Sequence, residues 1–176
     1  KLLGGGVMKN DDGSCPLPRN SNDGDGDTLN PKVISLEPEN LEDCLKTFHV
    51  AAKAIGSPDL IAKADEVTSK MESSFNLIRA TVQDRSKPKV AFIEWHDPIF
   101  CGGHWIVDML ELAGGDYVMP VKHGGRSVAL TNEDFVKLDP DVILIGPCGF
   151  SLDRTVRDTL NILGQKDWFR SLRAVQ

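Results

Sequence analysis

The sequence predicts an α/β protein with an open, mainly parallel, Rossmann-like sheet that one long helix precedes. Two short apolar runs, at residues 90–93 and 141–145, have the composition of strands buried on both faces. Each run leads into a glycine-containing loop and then into a segment with the apolar spacing of a helix. Strand, loop and helix repeated in this order indicate parallel strands joined by crossover helices.

Loops and caps define the two strand–helix units. In the first unit, a loop at residues 94–104 follows the strand, and apolar side chains then recur on one helical face until a Gly-Gly pair at 114–115. In the second unit, the loop is at residues 146–150, and Ser151 caps a helix that extends to Ile162.

Shorter elements complete the predicted order. Residues 116–118 are a candidate middle strand, and residues 131–138 form a capped short helix. A last helical segment carries Trp168 and Phe169, which are predicted to pack on the sheet. The glycine-containing loop around His123 is predicted to be flexible, with His123 solvated. A sheet with so few strands leaves an open edge.

The first part of the chain, residues 1–31, is predicted to be a flexible linker or insertion, because it cannot bury enough apolar surface. Its acidic run at residues 20–27 alternates Asp with Gly and suggests calcium as an alternative. A calcium loop that starts at Asp23 needs Gly at its sixth position and Glu at its twelfth, where the chain has Thr28 and Ile34. A solvated acidic loop is therefore favoured.

A strand and two helices precede the sheet. Residues 32–56 are predicted to form a short strand and a helix that Asn40 caps and Gly56 ends. Residues 57–87 contain a long helix with apolar positions from residue 58 to about residue 84, which gives a length of about 40 Å. Such a helix can join two lobes rigidly or pack along one sheet, and the periodicity does not decide between them.

The composition excludes several classes of protein. The net charge of −6 and the lack of a basic run count against a nucleic-acid partner. No apolar run approaches the roughly 20 residues of a membrane span. The four cysteines form no Cys-x-x-Cys pair and do not indicate a disulfide framework.

The loops at 94–104 and 146–150 are predicted to share one rim of the molecule. Both leave the carboxyl ends of parallel strands, which is where open α/β sheets bind ligands. Aromatic residues are concentrated in these loops, and an aromatic loop favours a binding surface. The rim carries Trp95, Phe100, Phe150, His96, His104, Cys101 and Cys148.

The residues of the rim allow three kinds of chemistry. A zinc site would use Cys101 and His104, three residues apart, with His96 and Cys148 across the rim. A nucleophilic enzyme would use Cys101 or Cys148 with a histidine base. A binding site without catalysis would offer aromatic faces to a large, flat ligand, with a histidine or Asp97 contacting a metal centre that the ligand carries.

Several short motifs lie in and around the two strand–helix units. They are Phe92-Ile93-Glu94-Trp95, Asp97-Pro98, Gly103-His104-Trp105, Met-Leu-Glu-Leu-Ala-Gly-Gly at 109–115, Asp-Pro-Asp-Val-Ile at 139–143 and Pro-Cys-Gly-Phe at 147–150. Together these motifs closely resemble the helical-backbone (class III) substrate-binding proteins of ABC importers. The similarity extends over about residues 32–176 and is greatest to the branch that takes up cobalamin and ferric siderophores.

The resemblance implies two lobes that one long helix joins, with a ligand clamped between them. It assigns residues 32–56 to the end of the first lobe, 57–87 to the inter-lobe helix and 88–176 to the second lobe. The implied function is binding of cobalamin or a related metal chelate, such as haem or a ferric siderophore, without catalysis and with no intrinsic cofactor. The implied location is extracytoplasmic or periplasmic. The chain starts at Lys1 without a recognisable signal and is interpreted as a fragment.

The resemblance and the rim together define the candidate site residues. Glu111 matches a glutamate with which the family contacts arginines of the membrane permease, and helical spacing turns it away from the apolar face. The expected ligand-binding residues are Trp95, His96, Asp97, Phe100, His104, Cys148 and Phe150.

Overall fold

The structure, a computed structural model, describes residues 14–15 and 33–176. The chain forms two compact units, residues 1–37 and 38–176. In the first unit, strand β1 (Ser14–Cys15) pairs antiparallel with β2 (Val33–Ile34). The predicted strand near residue 33 is therefore present, and two residues of the predicted linker pair with it. The acidic run at 20–27 and its calcium alternative lie outside the described residues.

Two helices open the second unit. Helix α1 (Leu41–Ile55) begins where the Asn40 side chain accepts a hydrogen bond from the Asp43 backbone N–H, and it ends at Gly56 in the left-handed conformation. Helix α2 (Pro58–Val82) is 25 residues long and packs mainly on α1. The long helix is thus observed nearly as predicted, while its role as an inter-lobe connection stays a prediction.

The five-stranded sheet is built around β3 (Lys89–His96). The first half of β3 pairs in parallel with β5 (Asp116–Tyr117) and with β7 (Val142–Ile145). Its second half pairs antiparallel with β4 (Ile99–Cys101), and β4 pairs antiparallel with β6 (Ala129–Leu130). The predicted α/β fold with parallel strands is confirmed, and the antiparallel β3–β4–β6 extension is an addition to it.

The predicted loop at residues 94–104 was wrong over much of its length, because β3 continues to His96 and β4 returns beside it. The two strands form a hairpin with Asp97 and Pro98 in its turn. The polar and proline residues of this run resemble a loop in sequence, yet Trp95 and Phe100 pair across the hairpin. The register shifts between Ile93 and Trp95, which is the mark of a bulge.

Helices cover the sheet and close the core. They are α3 (Trp105–Leu112), α4 (Asn132–Leu138), α5 (Leu152–Ile162) and α6 (Asp167–Arg170). The buried cluster contains Ala91, Ile93, Ile99, Cys101, Met119, Phe135, Leu163, Phe169 and Leu172, and Trp168 packs against it. Among the described residues, no helix is both long enough and apolar enough to cross a membrane.

Strand β7 is buried on one face only, so the prediction of a strand buried on both faces was wrong. Ile143 and Ile145 pack against the core, whereas Val142 and Leu144 are 39% and 41% exposed. Within the described part of the chain, β7 pairs with β3 alone, so its outer edge is open.

A candidate ligand cleft at the end of the central strand

Trp95 and Phe150 meet where β3 ends and where the chain leaves β7 for α5. Their ring centroids are 5.5 Å apart, and the rings are inclined by 68°, in an edge-to-face contact. The Arg154 guanidinium lies over the Phe150 ring, 3.4 Å from its centroid, in a cation–π contact. Trp95 remains 44% exposed, so much of the indole is free to contact another molecule.

These residues line a cleft of about 270 Å³ at this edge of the sheet. Asp97 comes from the hairpin turn, while Arg154 and Asp158 come from the first turns of α5. The complete lining is Trp95, His96, Asp97, Phe150, Arg154, Asp158 and Ile162. The two loops predicted to share one rim therefore do lie together.

His96 lies at the base of this cleft and is almost fully buried, with 4% exposure. Its Nε2 is 2.8 Å from the Thr159 hydroxyl, which connects the end of β3 to α5. Burial lowers the pKa of His96, and the nearby Asp158 carboxylate opposes this effect only in part. The neutral form of His96 is therefore favoured, and its contact with Thr159 holds the end of β3 against α5.

A second group of polar side chains surrounds Glu94, at the β3 bulge. Its Oε2 accepts a hydrogen bond from the Ser127 hydroxyl at 2.6 Å, and its Oε1 accepts one from the Cys148 thiol at 3.4 Å. Ser127 also accepts a hydrogen bond from the Gly103 backbone N–H. Glu94 thereby connects two loops near the end of the central strand, and Ser127 extends this connection to Gly103.

Phe100, His104 and Cys148, which were predicted to bind the ligand, are not among the residues that line the cleft. Phe100 is half-buried and pairs with Trp95 across the hairpin and with Ala129 on β6. His104 is the residue before α3 and has a positive φ of 52°, and its backbone N–H donates to the Gly125 carbonyl at 2.6 Å. Their predicted contact with a ligand stays a prediction.

The residues of the zinc alternative do not converge. Cys101 is buried, and its thiol donates to the Val128 carbonyl, whereas His96 contacts Thr159 and Cys148 contacts Glu94. In the parts of the chain that the structure describes, no group of three or more His, Cys, Asp or Glu side chains is arranged to hold a metal ion.

Cys101 and Cys148, the two candidate nucleophiles, also lack the environment of an activated thiol. Burial raises the pKa of Cys101, and the hydrogen bond to Glu94 raises the pKa of Cys148, with burial adding to the effect. A nucleophilic thiol needs the opposite shift and a nearby imidazole. The hydrogen-bond partners of these two thiols are a backbone carbonyl and a carboxylate.

Glu111 lies on α3 with its side chain 44% exposed, as the helical spacing predicted. Its Oε2 is 3.1 Å from Nε2 of His123. The other ring nitrogen of His123, Nδ1, is 2.5 Å from Oδ1 of Asp108. The prediction of a simply solvated His123 was therefore wrong: the ring is exposed, but both nitrogens face carboxylates.

Sequence reasoning missed several side chains of the site, of which Glu94, Arg154 and Asp158 contribute most. Arg154 and Asp158 are four residues apart on α5, so they share one side of this helix, and this spacing is a usable signal. Glu94 offered no comparable signal, because its partners are 33 and 54 residues away in the chain.

Known structures with the same fold are bacterial substrate-binding proteins. An ABC transporter substrate-binding protein from Listeria monocytogenes has a TM-score of 0.64 at 19% identity, over 77% of this chain and 52% of that chain. IsdE of S. aureus, complexed with heme, has a TM-score of 0.68 at 20% identity, over 84% and 57%. The periplasmic vitamin B12 binding protein BtuF of Vibrio cholerae has a TM-score of 0.58 at 16% identity, over 80% and 51%.

The chain thus has the fold of the helical-backbone substrate-binding proteins of ABC importers, in agreement with the sequence resemblance. It spans about half the length of these structures. No protein-family model and no curated protein matches the sequence.

Proposed function

We propose that the chain is part of the substrate-binding component of an ABC importer and that it binds cobalamin or a related metal chelate, without catalysis. Haem and ferric siderophores are the other candidates in this class. The similar structures include proteins described as binding heme and vitamin B12, which supports this class of ligand but does not choose among its members.

The observation that carries the proposal is the exposed Trp95 in contact with Phe150 at the mouth of a cleft. A large ring system such as a corrin or a porphyrin gains contact area against an indole face. The volume of about 270 Å³ lies just below the roughly 300–1,000 Å³ of complete ligand pockets. The first lobe, closing over the cleft, would enlarge it.

The polar residues of the cleft suit an anionic or metal-bearing ligand. Arg154 can bind a ligand carboxylate through its guanidinium, and Asp97 can contact a metal centre or a cationic group. Cys148 and Glu94 would border the ligand at the β7–α5 turn. His96 would contribute indirectly, by fixing the end of β3 against α5.

The domain organisation follows from the same proposal. Residues 32–56 would end the first lobe, residues 57–87 would form the joining helix, and residues 88–176 would form the second lobe. Helix α2 suits that role because it is 25 residues long and, of its residues, buries only Ala64 and Thr68 fully. The protein would act outside the cytoplasm or in the periplasm and would have no intrinsic cofactor.

The partner in this proposal is a membrane permease, which the chain would contact through Glu111. An exposed glutamate on α3 can accept a bidentate hydrogen bond from an arginine of the partner. Glu111→Gln removes the charge and keeps the shape, so permease docking should be lost while ligand binding is unchanged. Equal docking of both proteins would contradict this role.

Direct binding of ligands tests the proposal. The full-length protein is dialysed to equilibrium against cobalamin, haem and a ferric siderophore, and bound ligand is measured by absorbance. We expect saturable binding of at least one chelate, with weaker binding by Trp95→Ala and unchanged binding by Trp105→Phe. Lack of saturable binding to any of the three would refute the proposed ligand class.

A further inference from the structure

A second cavity lies between α1, α2 and α3 and has a volume of about 330 Å³. Its apolar lining consists of Leu41, Leu45, Phe75 and Leu112. Its charged or titratable lining consists of Glu42, Arg79, Asp108, Glu111 and His123. The cavity is therefore acidic on balance, and the imidazole of His123 borders it.

Both ring nitrogens of His123 face carboxylate oxygens, at 2.5 Å from Asp108 and 3.1 Å from Glu111. A neutral imidazole has one N–H donor and one nitrogen lone pair, whereas the imidazolium has two donors. Only the protonated ring can donate to both carboxylates. The geometry therefore specifies the charged form of His123.

We propose that protonated His123 covers Glu111 and that loss of this proton frees the Glu111 carboxylate for a cationic partner. His123 is thus a pH-dependent cover on the surface that holds Glu111. The biological meaning of this cover rests on the proposed permease contact, whereas the cover itself is a property of the chain alone.

Asp108 determines which contact is lost on deprotonation. Its Oδ2 accepts a hydrogen bond from the Leu41 backbone N–H at 2.7 Å, so α1 holds this carboxylate in place. The remaining proton of neutral His123 stays on Nδ1, which is closer to its carboxylate than Nε2 is. The lone pair on Nε2 then faces Glu111, and two acceptors repel each other.

The two carboxylates that face His123 favour its protonated form. Glu42 on α1 and Glu39, next to Gly124, carry the same negative charge, whereas Arg79 on α2 lines the same cavity with a positive charge that opposes protonation. Hydrogen bonding to Asp108, with the Glu111 charge adding to it, raises the pKa of His123. His123 is therefore protonated and covers Glu111 below the ordinary histidine pKa. It loses the proton, and with it the contact to Glu111, as the pH rises through the raised pKa.

The loop after His123 can accommodate the movement. Gly124 has a left-handed φ of +69°, which glycine adopts without strain, and a glycine follows it. The Gly125 carbonyl and the Ser127 hydroxyl accept hydrogen bonds from the backbone just before α3 and attach the rest of the loop there. Release of His123 can therefore proceed while the Ser127 contact with Glu94 stays in place.

Ring-nitrogen NMR of the purified chain tests the protonation. We expect His123 to carry protons on both nitrogens at about pH 6.5, near the ordinary pKa of histidine. We also expect its pKa to fall in Asp108→Asn and in Glu111→Gln. A His123 pKa that is the same in Glu111→Gln and in the unaltered chain would overturn the proposal.

Carboxylate labelling tests the release of Glu111. The chain is treated with a carbodiimide and glycine ethyl ester, and the labelling of Glu111 is expressed relative to Glu72, an exposed residue on α2. In the unaltered chain this ratio should rise severalfold as the pH passes the His123 midpoint. In His123→Ala it should be high on both sides of that midpoint.

Lys122→Ala is the matched control, because it removes a neighbouring side chain of the same loop and leaves both carboxylate contacts of His123. Its labelling ratio should follow that of the unaltered chain. Equal Glu111 labelling in His123→Ala and the unaltered chain at every pH would overturn the cover. Neither readout uses a permease, so the cover can fail or succeed independently of the docking role of Glu111.

Discussion

The thiol of Cys148 donates a hydrogen bond to Oε1 of Glu94 and so joins the turn after β7 to the bulge of β3. A carboxylate acceptor keeps the proton on sulfur, and this hydrogen bond raises the pKa of Cys148, with burial acting in the same direction. The contact makes an exposed thiol less reactive than its exposure alone would suggest.

Glu94→Gln should therefore make Cys148 more reactive. Loss of the negative charge lowers the thiol pKa, so at about pH 8.5 alkylation by iodoacetamide should become severalfold faster. Mass spectrometry of the Cys148 peptide measures the rate. Ser127→Ala is the control, because it removes the other partner of Glu94 but keeps the carboxylate. Equal rates in Glu94→Gln and the unaltered chain would contradict the contact.

Acid should destabilise the fold through His96. Burial lowers the folded-state pKa of His96, so the unfolded chain binds the proton more readily. The stability contributed by neutral His96 is complete above about pH 6.5 and is lost as the pH falls from there toward the lowered value. The slope is at most about 1.4 kcal/mol per pH unit.

Urea unfolding at several pH values measures this effect. The difference in unfolding free energy between the unaltered chain and His96→Gln should shrink as the pH falls through that window. Thr159→Val removes the hydrogen-bond partner but keeps the titrating ring, so it should retain the acid dependence. A constant difference between His96→Gln and the unaltered chain would show that His96 is not held neutral.

Gly103→Ala should disrupt the site from outside the cleft. A Cβ at this position would lie 2.3 Å from the Ser127 backbone nitrogen and 2.6 Å from the Arg126 carbonyl carbon, and backbone atoms cannot move aside easily. We expect a loss of about 2–3 kcal/mol in unfolding free energy, typical of overpacking. Gly149→Ala is the control: a Cβ there meets no atom within 4 Å, and the positive φ costs about 1–2 kcal/mol. A smaller loss in Gly103→Ala than in Gly149→Ala would be evidence against the close approach.

Phe150→Ala should weaken chelate binding by removing the support of Trp95. Without the edge-to-face contact the indole can adopt more orientations, so its stacking on a ligand contributes less to binding. We expect the affinity for the chelate to fall about tenfold, or by about 1.4 kcal/mol. Equilibrium dialysis measures the affinity. Phe48→Ala, which removes an exposed phenylalanine on α1 that does not line the cleft, should bind the chelate normally. An undiminished affinity in Phe150→Ala would mean that the aromatic pair does not form the ligand surface.

The local pattern of the sequence predicted most of the helices and strands, and it predicted that the two rim loops would lie together. Apolar periodicity placed α2 and α3, and the rule that ligands bind at strand ends brought Trp95 and Phe150 to one edge. Local pattern failed at the β3–β4 hairpin, since a run that contains Asp97 and Pro98 has the composition of a loop. The residue pairs across the turn, Trp95 with Phe100 among them, identify this run as two strands.

The rest of the site depends on contacts that no periodicity encodes. Glu94 obtains its partners from two distant loops, and His123 obtains its charge from two carboxylates one helical turn apart on α3. The burial of His96 depends on α5 lying across the end of β3. Each of these properties arises from tertiary packing, so residue type alone could not predict it.

Fluorescence of Trp95 in the full-length protein tests the central claim most directly. With Trp105→Phe and Trp168→Phe, Trp95 becomes the one indole among residues 33–176, and the protein is titrated with haem, cobalamin and a ferric siderophore. We predict saturable quenching by at least one of these chelates, with loss of the effect when Phe150→Ala is added. Emission from Trp95 that stays constant with all three would contradict a chelate cleft at the end of β3.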